Sequence, residues 1–223
     1  RRRWPTNLQE HGFGSHPRDV ESDSDGLPDR WEVDNGFNPA SDGGLAHGLV
    51  AHWNFDEGAG DIVSNRVSTN WPGVLRYMVE SNWSVGRGGG ALWLDGINDS
   101  VVVTQTTAIV TAAPFTVAAT FCQDAGGMSE YPAVVSDATL LSSNRWPGFL
   151  LRYAKSGNAL IGYAGSTNEA IGGIAATNWG PEHVGRWVDV ALSHDGTRAR
   201  LFVDGRQVSA ATNSFSAARQ SAL

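Results

Sequence analysis

From Leu49 onward, apolar residues arrive in short runs separated by clusters of Gly, Asn, Asp and Ser. The runs are "LVAHWNF", "GALWLD", "SVVVT", "FTVAATFC", "AVVSD", "GFLLRYA", "ALIGYAG", "RWVDVALSHD" and "RARLFVDG", each of strand length. No stretch of ten or more residues holds a helical period. Strands recurring every 8 to 20 residues with turn signals between them predict an antiparallel sandwich or barrel. The clearest hairpin is "SHDGTRARLFVDGRQV", where Asp195-Gly196 supplies positive-φ turn chemistry between two extended runs, and Asp204-Gly205 starts a second tight turn.

Upstream the pattern differs. Residues 1–18 show no period and carry Gly12, Gly14 and Pro17, an irregular lead-in. Residues 19–43 hold an acidic loop and then "PDRWEVDNGFNP", where Pro28 suits a first helical position and Asn35-Gly36 and Asn38-Pro39 are stop signals. One short helix is expected there. "ASDGGLAHG" is a small-residue linker, and the β region runs over residues 48–223.

Composition agrees with this division. Of 223 residues, 41% are hydrophobic and only 17% charged, with 27 glycines and nine tryptophans, a balance of turn-rich all-β chains. The net charge is −7 and the one block of positive charge is Arg1–Arg3, so no basic surface is available to nucleic acid. No run approaches the length of a membrane span. The first residue is not methionine and no apolar signal core follows the arginines, which suggests a segment of something longer. Cys122 alone cannot form an internal disulfide and reads as a small buried hydrophobe on a strand.

The acidic loop "ESDSDGLPDRWE" has a specific spacing. Counting Glu21 as position 1, Asp23, Asp25, Asp29 and Glu32 fall at positions 3, 5, 9 and 12, Gly26 at 6, and the Leu27 carbonyl at 7. Calcium takes six to eight oxygens, and a tight turn with alternate side chains pointing inward supplies them. Without a cation these carboxylates repel at about 1 kcal/mol or more per close pair. The expected ligands are therefore Glu21, Asp23, Asp25, Leu27, Asp29 and Glu32, with Asp19 a nearby substitute for the unusual glutamate at position 1. No helix-forming stretch leads into the loop, and Pro28 lacks the N–H that paired loops exchange, so it is expected to act alone. "DSDGLPDRWEVDNGFNP" resembles the thrombospondin type 3-like and dockerin-like calcium repeats of secreted bacterial proteins, which implies an ion that stiffens a connector and does no chemistry.

"GLVAHWNFDEGAG", "GRGGGALWLDGINDSVVV", "FTVAATF", "GFLLRY" and "RWVDVALSHDGTRARLFVDGRQV" together resemble the laminin G-like, concanavalin A-like jelly roll from about Gly48 to Val208. The resemblance implies two antiparallel sheets packed face to face, an extracellular or cell-surface setting, and a calcium-stabilised adhesion or binding module with carbohydrate or an extracellular protein as partner. Members of that family continue beyond the "LFVDG" hairpin, whereas "SAATNSFSAARQSAL" is short and polar, so a C-terminally truncated sandwich or an open edge is expected.

Catalysis is not expected. Laminarinase-type relatives carry two glutamates and an aspartate alternating on one strand, and no E-x-D-x-E or E-x-D-x-x-E arrangement occurs here. There is no G-x-S-x-G elbow, and the six histidines, with His52 and His194 on strand runs, show no metal spacing. Trp53, Trp93 and Trp187 lie inside strand runs and read as core. Trp71, Trp146 and Trp179 stand in turn-like contexts, where two roles fit equally: stacking on a sugar ring or covering the sandwich ends. Related pentraxins use an Asp-Asn pair in the turn before the strand matching "GFLLRY"; here that turn offers Asn144 and Arg145 and no aspartate. "LDGINDS" is a second metal candidate through Asp95, Asn98 and Asp99, joined by Asp56 or Glu57, and turn-forming Asp and Asn explain the same letters. Two further functions remain open: an accessory domain of a polysaccharide-degrading enzyme, or a structural spacer between other domains of the same polypeptide.

Overall fold

The computed structural model describes residues 22, 40, 49–103, 109–110, 112–124, 132–138, 147–154, 158–165, 173–177, 179 and 181–216. The expected helix and, Ser22 apart, the acidic loop lie outside the described residues. The chain divides into two units, one of Arg1–Trp53 with Asn65–Asn70, the other of Asn54–Ser64 with Trp71–Leu223. In the first, the buried Asn65 side chain accepts the His52 and Val67 N–H groups at 2.9 and 3.1 Å and donates to the Asn70 carbonyl at 3.0 Å, tying a loop together.

The second unit is built from thirteen strands among its described residues. They are β1 (Ile62–Val63), β2 (Gly73–Arg76), β3 (Trp83–Val85), β4 (Gly90–Leu92), β5 (Ser100–Val103), β6 (Phe115–Cys122), β7 (Ala133–Ser136), β8 (Gly148–Ala154), β9 (Ala159–Gly165), β10 (Gly173–Thr177), β11 (Trp187–His194), β12 (Arg198–Val203) and β13 (Arg206–Thr212). Among the described residues, helix is confined to the 3₁₀ turns Glu80–Asn82 and Pro181–His183. Two four-stranded antiparallel sheets, ordered β10-β9-β8-β7 and β13-β12-β11-β6, face one another; β1-β2-β5 and the β3-β4 hairpin form smaller sheets. The expected two-sheet antiparallel sandwich is what the chain forms.

Alternation sets which side chains meet. On β11, Val188, Val190, Leu192 and His194 point inward and are buried, and on β12 Ala199, Leu201 and Val203 do the same. They pack against Phe149, Leu151 and Tyr153 of β8 and Leu160 and Ala164 of β9. Gly162 of β9 faces the same interior, where an added Cβ would stand 3.1 Å from Leu192 and 3.3 Å from Leu201, so its bare backbone leaves room for both leucines. His194 is 1% exposed, with Nδ1 accepting the Gly196 N–H at 3.0 Å and Nε2 lying 3.2 Å from the Asn213 carbonyl. Its ring stacks on Phe115 at 6.0 Å, so the strand histidine is a packed core residue.

Several expectations need correction. The run "LVAHWNF" forms no strand, and at its last residue, Phe55, the backbone turns left-handed (φ 58°). The tight turn expected at Asp204-Gly205, with positive φ at both residues, leads into edge strand β13, which runs past Val208 into the first four residues of the polar tail, 209–212. Beyond it, Phe215 packs on Phe115 at 4.6 Å, and Ser216 bonds Gly148 and Gly165 of the opposite sheet at 2.8 and 3.0 Å. Cys122 is exposed, since β6 turns Phe115, Val117, Ala119 and Phe121 inward and the alternation sends position 122 out.

Candidate functional site

Of the expected sites, the calcium ligands Glu21, Asp23, Asp25, Leu27, Asp29 and Glu32, and the binding candidates Asn144, Arg145 and Trp146, lie outside the described residues. The second metal candidate is visible. Asp95 Oδ1 accepts the N–H groups of Ile97, Asn98 and Asp99 at 2.8, 3.2 and 3.3 Å. The Ile97 N–H, with those of Asn98 and Asp99, holds the Asp95 carboxyl below its ordinary range against a desolvation contribution. Asp99 Oδ2 accepts the Asp95 N–H at 3.1 Å and the Asn82 amide at 3.0 Å. This is an Asx-type turn in which the carboxylate oxygens serve the backbone. Asp56 and Glu57 do not join it: Asp56 accepts the Asn54 amide at 2.7 Å and the Gly90 N–H, and Glu57 accepts the Ser64 N–H at 3.0 Å. Among the described residues, no group of three or more His, Cys, Asp or Glu converges as a metal site.

The tryptophans sort differently from the expectation. Trp179 is 3% exposed, its ring stacked between Phe121 at 5.9 Å and His183 at 4.3 Å, and its Nε1–H donates to the buried Gln123 at 2.8 Å. Buried to this extent, it offers no surface to a sugar and takes the covering role instead. Trp71 is partly exposed, in left-handed backbone (φ 60°). Trp93, expected in the core, is 54% exposed. Its N–H donates to the Asn82 carbonyl at 2.8 Å just past the end of β4, where the chain leaves the sheet.

A frame surrounds Trp93. The buried Asn82 side chain accepts the Val79 N–H at 2.8 Å and donates to the Trp93 carbonyl at 2.8 Å and to Asp99. Trp83 is fixed by its Nε1–H to the Gly60 carbonyl at 3.0 Å. The β3-β4 hairpin carries Arg87 at its tip, whose guanidinium holds both oxygens of Asp189 on β11 at 2.7 and 2.8 Å. Thr120 of β6 bonds the same carboxylate at 2.7 Å, fastening the hairpin to a four-stranded sheet.

A family model described as the concanavalin A-like lectin/glucanases superfamily matches residues 95–222. No curated protein matches the chain. Among solved structures, the chain is similar to the mouse laminin alpha1 chain, domains LG4-5, at 13% identity and a TM-score of 0.35, covering 49% of this chain and 28% of that one. It is also similar to the carbohydrate binding module CBM66 from Bacillus subtilis, at 14% identity and a TM-score of 0.38, covering 60% of this chain and 77% of that one. Among the described residues, no helix is long and apolar enough to cross a membrane.

Proposed function

Because the chain belongs to the concanavalin A-like lectin/glucanases superfamily, we propose that it is a non-catalytic recognition module that binds carbohydrate. It works at the cell surface or outside the cell as part of a larger bacterial polypeptide, and the acidic turn from Glu21 to Glu32 holds calcium that stiffens the connector ahead of the sandwich. The observation that carries the reading is the match over residues 95–222 to a superfamily that joins lectins and glucanases.

Between those two activities the ties on Asp95, Asp99, Asp189 and Asp204 favour binding; Asp137, whose carboxyl burial raises and whose Oδ2 has no partner among the described residues, is the exception. Hydrolysis needs one carboxyl free to protonate the leaving oxygen and another placed across the bond from it. Asp95 and Asp99 are committed to turn N–H groups, Asp189 to Arg87 and Thr120, and Asp204 to Arg186 at 2.8 Å. The Arg186 side chain and the Asp189 N–H keep the Asp204 carboxyl below its ordinary range in spite of its desolvation, the opposite of what a general acid requires. Binding asks only for fixed aromatic and polar groups, which the surroundings of Trp93 provide.

The test is a glycan array probed with the full chain in calcium and again in chelator. Selective retention on a glycan class, in calcium and in chelator alike because the ion stiffens the connector and does not touch the glycan, is the expected result. Release of reducing sugar from a retained glycan by the purified chain would overturn the non-catalytic assignment.

A further inference from the structure

Tyr77, Val79, Trp93, Leu94 and Ile97 are 79%, 66%, 54%, 45% and 82% exposed. They are attached to one frame. Arg76 and Ser100 are paired across β2 and β5, which brings Tyr77 beside Asp99. Asn82, 6% exposed, then holds Val79, Trp93 and Asp99 through its single side chain, and the Asx turn at Asp95 holds Ile97 at 2.8 Å from its carboxylate. Exposed apolar side chains gathered on a hydrogen-bonded frame mark an interaction surface, and a frame already rigid loses little entropy when a ligand settles on it.

The chemistry of the surface selects the ligand. The exposed Trp93 indole and Tyr77 phenol are groups that stack on the C–H faces of pyranose rings, and the exposed apolar side chains on the same frame suit the same faces. Three carboxylates belong to the same frame, Glu80 in the turn that carries Asn82 and the bonded pair Asp95 and Asp99, against one guanidinium, Arg76 beside Tyr77. That balance repels carboxylated and sulfated chains and leaves uncharged ones. It also disfavours a second copy of this chain, because a two-fold contact would bring the same carboxylates face to face.

We propose that this surface is a binding face for an uncharged glycan chain, a proposal that rests on the carbohydrate reading above. Tyr77, Val79, Trp93 and Leu94 precede the residues matched by the family model, and Ile97 falls within them.

The experiment uses the full chain and the variants Trp93→Ala, Tyr77→Ala and Val208→Ala, the last removing a 45% exposed side chain of β13. Each is measured on neutral gluco-, manno-, galacto- and fructo-oligosaccharides and on uronate-bearing and sulfated chains, with melting and sedimentation recorded in parallel. The expected result is binding to a neutral glycan that Trp93→Ala and Tyr77→Ala each weaken by about tenfold or more, with melting unchanged and Val208→Ala binding as the parent does. Neutral-glycan binding that survives both aromatic substitutions overturns this site and leaves the carbohydrate reading standing. A preference for anionic chains overturns the charge argument. Binding to no glycan removes both proposals, and a parent dimer that Trp93→Ala converts to monomer assigns the face to a second copy instead.

Discussion

Asp137, just past the end of β7, has its carboxylate oxygen Oδ2 buried without a hydrogen-bond partner among the described residues. Burial pushes its carboxyl above the usual range. A carboxyl whose folded pKa lies above its unfolded value keeps its proton longer in the native state. Its contribution is therefore most favourable below the unfolded pKa of about 3.9 and declines as pH climbs through the raised value. Asp137→Asn preserves the shape with no charge to desolvate. Urea titrations from acid to neutral pH are expected to show the variant gaining on the parent as pH rises, with little difference at the acid end; a parent more stable than the variant at pH 7 would contradict this. The same scale shows where single residues were illegible. Trp93 left its expected place in the core and Trp179 took the covering role of its two, because facing is set by where a ladder ends and by a buried acceptor, Gln123, 56 positions away. Neither signal is local in sequence.

Long runs with inward alternation, β6, β8, β9, β11 and β12, were legible because both their length and their period point to a sandwich. Strands β1, β2, β3, β10 and β13 were not. They are short, glycine-led or polar, as in "GIAAT" and "RQVSAAT", and draw their order from a neighbour's ladder. The glycine run "GRGGGALW" was visible as letters, and its cause is tertiary. A Cβ on Gly90 would overlap the Phe55 carbonyl, and one on Gly89 would meet Asp56 Oδ1, whereas Gly88 has open space around it. Gly90→Ala is therefore expected to destabilise by about 1–3 kcal/mol through overpacking against backbone. Gly88→Ala is expected to stay within roughly 0.5 kcal/mol of the parent. Denaturant midpoints compare the two, and equal losses would show that the close approach to Phe55 is unimportant.

At the scale of the whole molecule, a net charge of −7 is concentrated in part in the five carboxylates between Glu21 and Glu32. The spacing of that loop was the sharpest local signal in the sequence, because ligand geometry around an ion is written in consecutive positions, unlike a sandwich whose partners lie far apart along the chain. If calcium binds there with the weak affinity of extracellular modules, about 10⁻⁴ to 10⁻³ M, then calcium at about 10 mM stabilises the unit that holds the loop by roughly 1.4–2.7 kcal/mol. Thermal melts in calcium, in magnesium and in chelator are expected to show one transition raised by calcium and far less by magnesium, whose octahedral demand and reluctance to shed water suit the loop poorly. The double variant Asp23→Asn with Asp25→Asn is expected to melt in calcium as the parent melts in chelator. A shift that persists in the double variant would place the ion elsewhere, and no shift in the parent would leave the loop without its cation and the connector without its stiffening.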